Sequence, residues 1–224
     1  MTTNRLEGVT EELIPTSLGL INLKDCSDAL VEILNALDID KCVLVDNSRG
    51  GMLAGVFPEY PQRTTAAIGI NCTAALTTTF ESIWATALSS FLSLHAKMPP
   101  LAAKAARAAF AGPTAEATNP HFLEFTNFVL NDGPKSVARA LRSLLIGRKD
   151  EHRRLNTTRN VRVLIIAGEE DSQFPVHVVR KMADAIEGST FGVLQHTAHL
   201  AARENSEGVD AEIDAFLAAL PAAA

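Results

Sequence analysis

The stretch Val43 to Met52 reads VLVDNSRGGM, with a lone serine at its centre. An apolar run ending in Val43, Leu44 and Val45 comes first. Asp46, Asn47, Ser48 and Arg49 then crowd together, and Gly50 and Gly51 open a stretch with helical character. This is the pattern of a buried strand, a sharp turn and a helix. A serine on such a turn is either a helix cap or a nucleophile.

The surroundings predict more of the same alternation. Residues 25–38 place Leu30, Ile33, Leu34 and Leu37 on one helical face, with Ser27 as a candidate cap. KCVLVD (41–46) is a short strand, and a helix fits from Gly50 to about Phe57, ahead of Pro58. TTAAIGIN (64–71) is a further strand. VRVLIIAG (161–168) is the clearest strand, an apolar run between charge and glycine. PVHVVRKMADAIEG (175–188) has proline near its start and glycine past its end, as helices do. TFGVLQ (190–195) is a strand and residues 206–220 an amphipathic closing helix. Strands and helices alternating through short links predict an α/β fold with a mostly parallel sheet covered by helices on both faces. Residues 72–156 contain helical stretches, best in 99–112 and 133–147, and no convincing strand. They read as a helical lobe inserted between two core parts, 1–71 and 157–224.

Composition narrows the function classes. Apolar residues make up 47% and charged residues 21%, which suits a globular chain. A net charge of −6, from 20 basic and 26 acidic residues, disfavours nucleic acid or an anionic membrane as the main partner. Cys26, Cys42 and Cys72 are odd in number and scattered, which points to reduced thiols in the cytoplasm. No secretory signal or transmembrane run is readable. No His, Asp or Glu group has metal-ligand spacing, so neither metal nor cofactor is expected. The RKDEHRR run (148–154) mixes signs and reads as a solvated connection.

A serine hydroxyl needs a histidine to take its proton and a carboxylate to orient that histidine. In an open parallel sheet such groups sit beyond the carboxyl ends of strands. Asp171, in LIIAGEEDSQFP, follows the 161–168 strand. His199, in VLQHTAHLAAREN, follows the next one. Glu169 and Glu170 read as loop carboxylates and His196 as a surface residue. His95, His121, His152 and His177 read as lobe or surface histidines.

Three ordered blocks, VLVDNSRGGM, VLIIAGEED with its following proline, and HTAHLAAREN, resemble the α/β-hydrolase superfamily of the single-lid type that includes esterases, enol-lactonases and haloperoxidase-like enzymes. The first block is similar to the nucleophile elbow of form G-x-S-x-G. The resemblance spans about residues 25–220. It implies Ser48 as nucleophile, Asp171 as orienting acid and His199 as general base. It implies the Arg49 N–H as an oxyanion donor, with Asn47 as a further oxyanion or binding residue. Residues 72–156 would be the lid. Phe80, Trp84, Phe91, Phe110, Phe122, Phe125 and Phe128 are available either to line a pocket or to pack lid on core.

Two departures stand out. Asp46 occupies the place of the elbow's first glycine, so its charge needs a donor, and Arg49 is a candidate. The family also has strands before the elbow strand and an early His-Gly loop carrying a second oxyanion N–H. Residues 1–24 hold no His-Gly pair and no match to those strands. The expectation is a partial α/β-hydrolase fold whose edge by the elbow strand is covered by residues 1–24 or by a second copy in a homodimer, unless the chain start is artificially late. Loss of one oxyanion donor lowers turnover by about 10²–10³. The resulting expectation is a serine hydrolase of a small carboxylic ester or lactone. The alternative is a catalytically impaired, N-terminally truncated hydrolase-like protein that binds a ligand or partner.

Overall fold

Four parallel strands form one sheet in the order β1-β2-β3-β4: β1 (Cys42–Asn47), β2 (Thr64–Ile70), β3 (Arg162–Gly168) and β4 (Thr190–Leu194). The structure is a computed structural model that describes residues 23–48, 60–95, 134–146, 152–155 and 161–220, with 100 and 150. The predicted helix from Gly50 to Phe57, the 99–112 stretch apart from residue 100, and Arg49 lie outside the described residues.

The central strands β2 and β3 are buried on both sides, which is why they are continuous apolar runs, whereas Val43 and Val45 of β1 are exposed. Side chains alternate between the two faces. Ala67, Val163, Ile165 and Ala167 point to one face. There they pack with Val179, Met182 and Ala183 of the helix Val176–Asp184. Ala66, Ile68, Ile70, Leu164 and Ile166 point to the other. There they meet Val209 and Phe216 of the closing helix Ser206–Ala218. Gly168 ends β3 where the backbone of the 197–198 turn passes over it. A Cβ at Gly168 would stand 2.5 Å from the Thr197 carbonyl oxygen, so no side chain fits.

The first helix runs Leu23–Ala36, two residues ahead of the expected start. Ser27 therefore lies inside it, 1% exposed, and is not its cap. Between β2 and β3 the described elements are all helical: Thr79–Ser93, Pro134–Leu145 and the short turn His152–Leu155. Thr78 and Glu81 close a capping box at the start of Thr79–Ser93. That helix packs against Pro134–Leu145, and Arg142 Nε donates to Ser89 Oγ at 3.0 Å between them. Its Ala85, Ser89 and Leu92 are buried, whereas Phe80, Ile83, Trp84 and Phe91 are exposed. Phe110, Phe122, Phe125 and Phe128 lie outside the described residues. Among the described residues, no helix is long and apolar enough to cross a membrane.

Parallel pairing in register brings the carboxyl ends of all four strands to one edge. Asn47 pairs with Ile70, Ile70 with Ile166, and Gly168 with Leu194. Loops leaving these points converge, and the site forms there.

Candidate active site

Ser48 follows β1 directly and has φ +60. A serine in the left-handed region carries a backbone penalty of about 1–2 kcal/mol, and such positions cluster at functional sites. The turn is held by the Ser48 N–H donating to the Ile70 carbonyl at 2.8 Å. This conformation turns the chain out of the sheet and brings the hydroxyl within reach of the β3 and β4 loops.

The β3 loop carries Asp171, which is 3% exposed. Its Oδ1 accepts the Gln173 and Phe174 N–H groups at 2.8 and 3.2 Å. Its Oδ2 lies 2.9 Å from His199 Nδ1. A carboxylate can only accept, so His199 carries its proton on Nδ1 and leaves Nε2 as an acceptor. Nε2 lies 2.8 Å from Ser48 Oγ, where the hydroxyl donates to it. The His199 ring is 2% exposed as part of its residue, with Phe174 tilted against it at 5.6 Å between centroids. Serine, histidine and aspartate thus form one continuous hydrogen-bonded chain, drawn from three strand ends.

The turn bearing His199 is braced through its main chain. Glu204 accepts from the N–H groups on either side of the histidine, Ala198 at 2.8 Å and Leu200 at 3.0 Å. Burial pushes its carboxyl above the usual range, and those two N–H groups hold it down in part. Sequence reasoning did not single out Glu204, which has no local pattern to mark it. Asn47 does not point its amide outward as a free donor: Nδ2 donates to the His199 carbonyl at 3.1 Å.

The remaining candidates separate cleanly. Glu169 and Glu170 both have a partner in His196. Glu169 accepts the His196 N–H at 3.2 Å, and Glu170 lies 3.6 Å from the exposed His196 ring. His152 contacts Asp150 at 2.8 Å in the solvated connection, and the His95 ring contacts the Phe91 carbonyl. Cys72 is a poor competitor as nucleophile: burial, and then the charge of Asp46, push its thiol up to about 12. No group of three or more His, Cys, Asp or Glu side chains among the described residues could hold a metal ion.

Asp46, two residues before Ser48, finds its donor locally: its Oδ1 accepts the Asn47 N–H at 2.7 Å. Burial nevertheless raises its pKa, and that N–H offsets only part of the rise. A carboxyl raised on folding binds its proton more tightly in the native state. Its favourable contribution is complete below the ordinary value near 3.8 and is lost as pH climbs through the raised one. Asp46→Asn keeps an oxygen for the Asn47 N–H and has no charge to bury. The variant is therefore expected to be the more stable protein at neutral pH. In urea titrations its advantage should widen from about pH 4 to about pH 7, and a constant gap would contradict this account.

Residues 144–222 match the family profile described as TAP-like protein. No curated protein sequence matches the chain. Solved structures do. A thermophilic esterase from Thermogutta terrifontis superposes with a TM-score of 0.81 at 21% identity, covering 90% of this chain and 74% of that one. A hydrolase from Pseudomonas aeruginosa gives 0.77 at 20%, covering 90% and 74%. The enol-lactonase from Burkholderia xenovorans gives 0.77 at 15%, covering 89% and 74%. With its parallel sheet covered by helices on both faces, the chain has a partial α/β-hydrolase fold.

Proposed function

We propose that this chain is a serine hydrolase that cleaves a carboxylic ester or lactone through an acyl-enzyme. The observation that carries the reading is the chain of contacts Ser48 Oγ to His199 Nε2 at 2.8 Å and His199 Nδ1 to Asp171 Oδ2 at 2.9 Å. Esterase and enol-lactonase structures of the same fold give it context.

In this mechanism Ser48 Oγ attacks the substrate carbonyl carbon as its proton passes to His199 Nε2. Asp171 stabilises the imidazolium and keeps it oriented. The Arg49 N–H, next after the nucleophile, is one donor to the oxyanion. His199 then returns the proton to the departing alkoxide, and the C–O bond breaks to leave an acyl ester on Ser48. Water, deprotonated by His199, attacks that ester and releases the acid. For a lactone the hydroxyl so formed remains part of the acyl group, and deacylation releases a single hydroxy acid. Residues 72–156 act as a lid, a reading supported by the described elements between β2 and β3 being all helical. Phe80, Ile83 and Trp84, exposed on the helix Thr79–Ser93, suit a surface that meets an apolar acyl group.

The test is labelling of the full chain by a fluorophosphonate probe, with the modified residue located by mass spectrometry. Labelling is expected at Ser48 and is expected to vanish in His199→Ala. A folded wild-type protein that takes no label would favour the non-catalytic, ligand-binding reading instead.

A further inference from the structure

Asn71 is the residue after β2, fully buried at 0% exposure, and has φ +46. Asparagine is among the few non-glycine residues that tolerate this region. Its backbone N–H still donates to Ile166 at 2.8 Å, so the strand ends there and the side chain is aimed across the sheet edge.

All the polar atoms of that side chain are engaged, and their partners are specific. Oδ1 accepts the Gly168 N–H at 2.6 Å. Gly168 in turn begins the turn that carries the acid, because the Asp171 N–H donates to the Gly168 carbonyl at 3.2 Å. Nδ2 donates to the Ala198 carbonyl at 2.7 Å and to the His199 carbonyl at 3.0 Å. One planar amide therefore joins the root of the acid turn to the peptide that carries the histidine. The His199 carbonyl also accepts from Asn47, the neighbour of Ser48. Nothing in the hydrolytic steps uses Asn71, yet it touches the main chain beside two of the three reacting residues.

We propose that Asn71 is a positioning residue that sets the separation between Asp171 and His199, and so holds the imidazole in line with Ser48. The proposal rests on the hydrolase reading. It explains why an amide stands here: one oxygen must accept from Gly168 while the other end donates to two carbonyls. A carboxylate would set an oxygen against both carbonyls. Titratable neighbours on the packed elements are Asp46 at the end of β1, Cys72 next in the chain, Asp171 on the β3 loop, and His199 and Glu204 on the histidine turn.

The experiment compares wild type, Asn71→Ala and Asn71→Asp. The first readout is the rate of fluorophosphonate labelling at Ser48 across pH. The second is the low-field proton resonance of His199 Nδ1–H. Asn71→Ala is expected to label about 10²-fold more slowly, the penalty of a displaced reacting group, with the resonance shifted or broadened. Asn71→Asp gives the sharper test. While protonated, its carboxyl can still donate to a carbonyl; once ionised it cannot. Its labelling rate relative to wild type should therefore fall as pH rises, with the His199 resonance moving over the same range while the folded fraction, followed by circular dichroism, stays constant. A wild-type rate and resonance in Asn71→Ala would overturn the proposal. So would a pH-independent ratio in Asn71→Asp, or unfolding of both variants at every pH. An unlabelled wild type counts against the hydrolase reading itself, and the resonance comparison in Asn71→Ala then decides the positioning role alone.

Discussion

On the proposed reading, Ser48→Ala is expected to remove hydrolysis of chromogenic esters, with turnover falling by about 10⁶ where the three residues act as a unit. Alanine deletes the oxygen proposed to form the acyl bond and removes the hydroxyl 2.8 Å from His199 Nε2. Ser48 is only half-buried, so water can replace that donor, and the stability change should stay within about 1 kcal/mol. Ser48→Gly provides a second arm. Glycine at φ +60 is unstrained, so this variant is expected to be equally inactive yet more stable than Ser48→Ala, by up to about 1–2 kcal/mol. Steady-state turnover and urea titration of the two variants check both halves. Ester hydrolysis surviving in pure Ser48→Ala protein would mean that the reaction runs elsewhere on the molecule.

The central strands β2 and β3 were legible because burial on both faces leaves little choice of residue. The runs at 42–47, 64–70, 162–168 and 190–194 stand out as apolar segments between charge, glycine or turn residues, and each lies within a residue or two of its expected limits. The helix Thr79–Ser93 was harder to see. Its capping box, Thr78 with Glu81, is a local signal that was there to be read. Its apolar pattern pointed the wrong way, since the large residues Phe80, Ile83 and Trp84 face outward and small Ala85 and Ser89 face inward. The site divides along the same line. Ser48, Asp171 and His199 could be picked out from strand ends and family blocks, and the structure brings all three together. Asn71 and Glu204 could not be read as braces. Asn71 acts on a turn 127 and 128 residues away, and both residues act on main-chain atoms that carry no sequence signature. Asn47 could be singled out from its place before Ser48, but not the direction its amide takes, toward the His199 carbonyl.

Asp171→Asn is the second large effect, expected to lower ester turnover by about 10⁴ with little change in fold. The reason lies in which oxygen the amide must replace. Asp171 Oδ1 holds the Gln173 and Phe174 N–H groups. In the variant the amide oxygen takes that place, because an amide nitrogen there would face two donors. The NH2 group is then left facing His199 Nδ1 across 2.9 Å. Two donors cannot share that contact, so His199 shifts its proton to Nε2 and presents N–H, not a lone pair, to Ser48. The histidine remains in place and is the wrong tautomer to act as a base. Fluorophosphonate labelling should slow in parallel with ester turnover, since both need the same proton transfer. Glu170→Gln, one residue earlier and directed toward His196, is expected to leave both rates unchanged. If the loss instead followed Glu170→Gln, the acid would be assigned to Glu170 and the 2.9 Å contact would be a structural hydrogen bond alone.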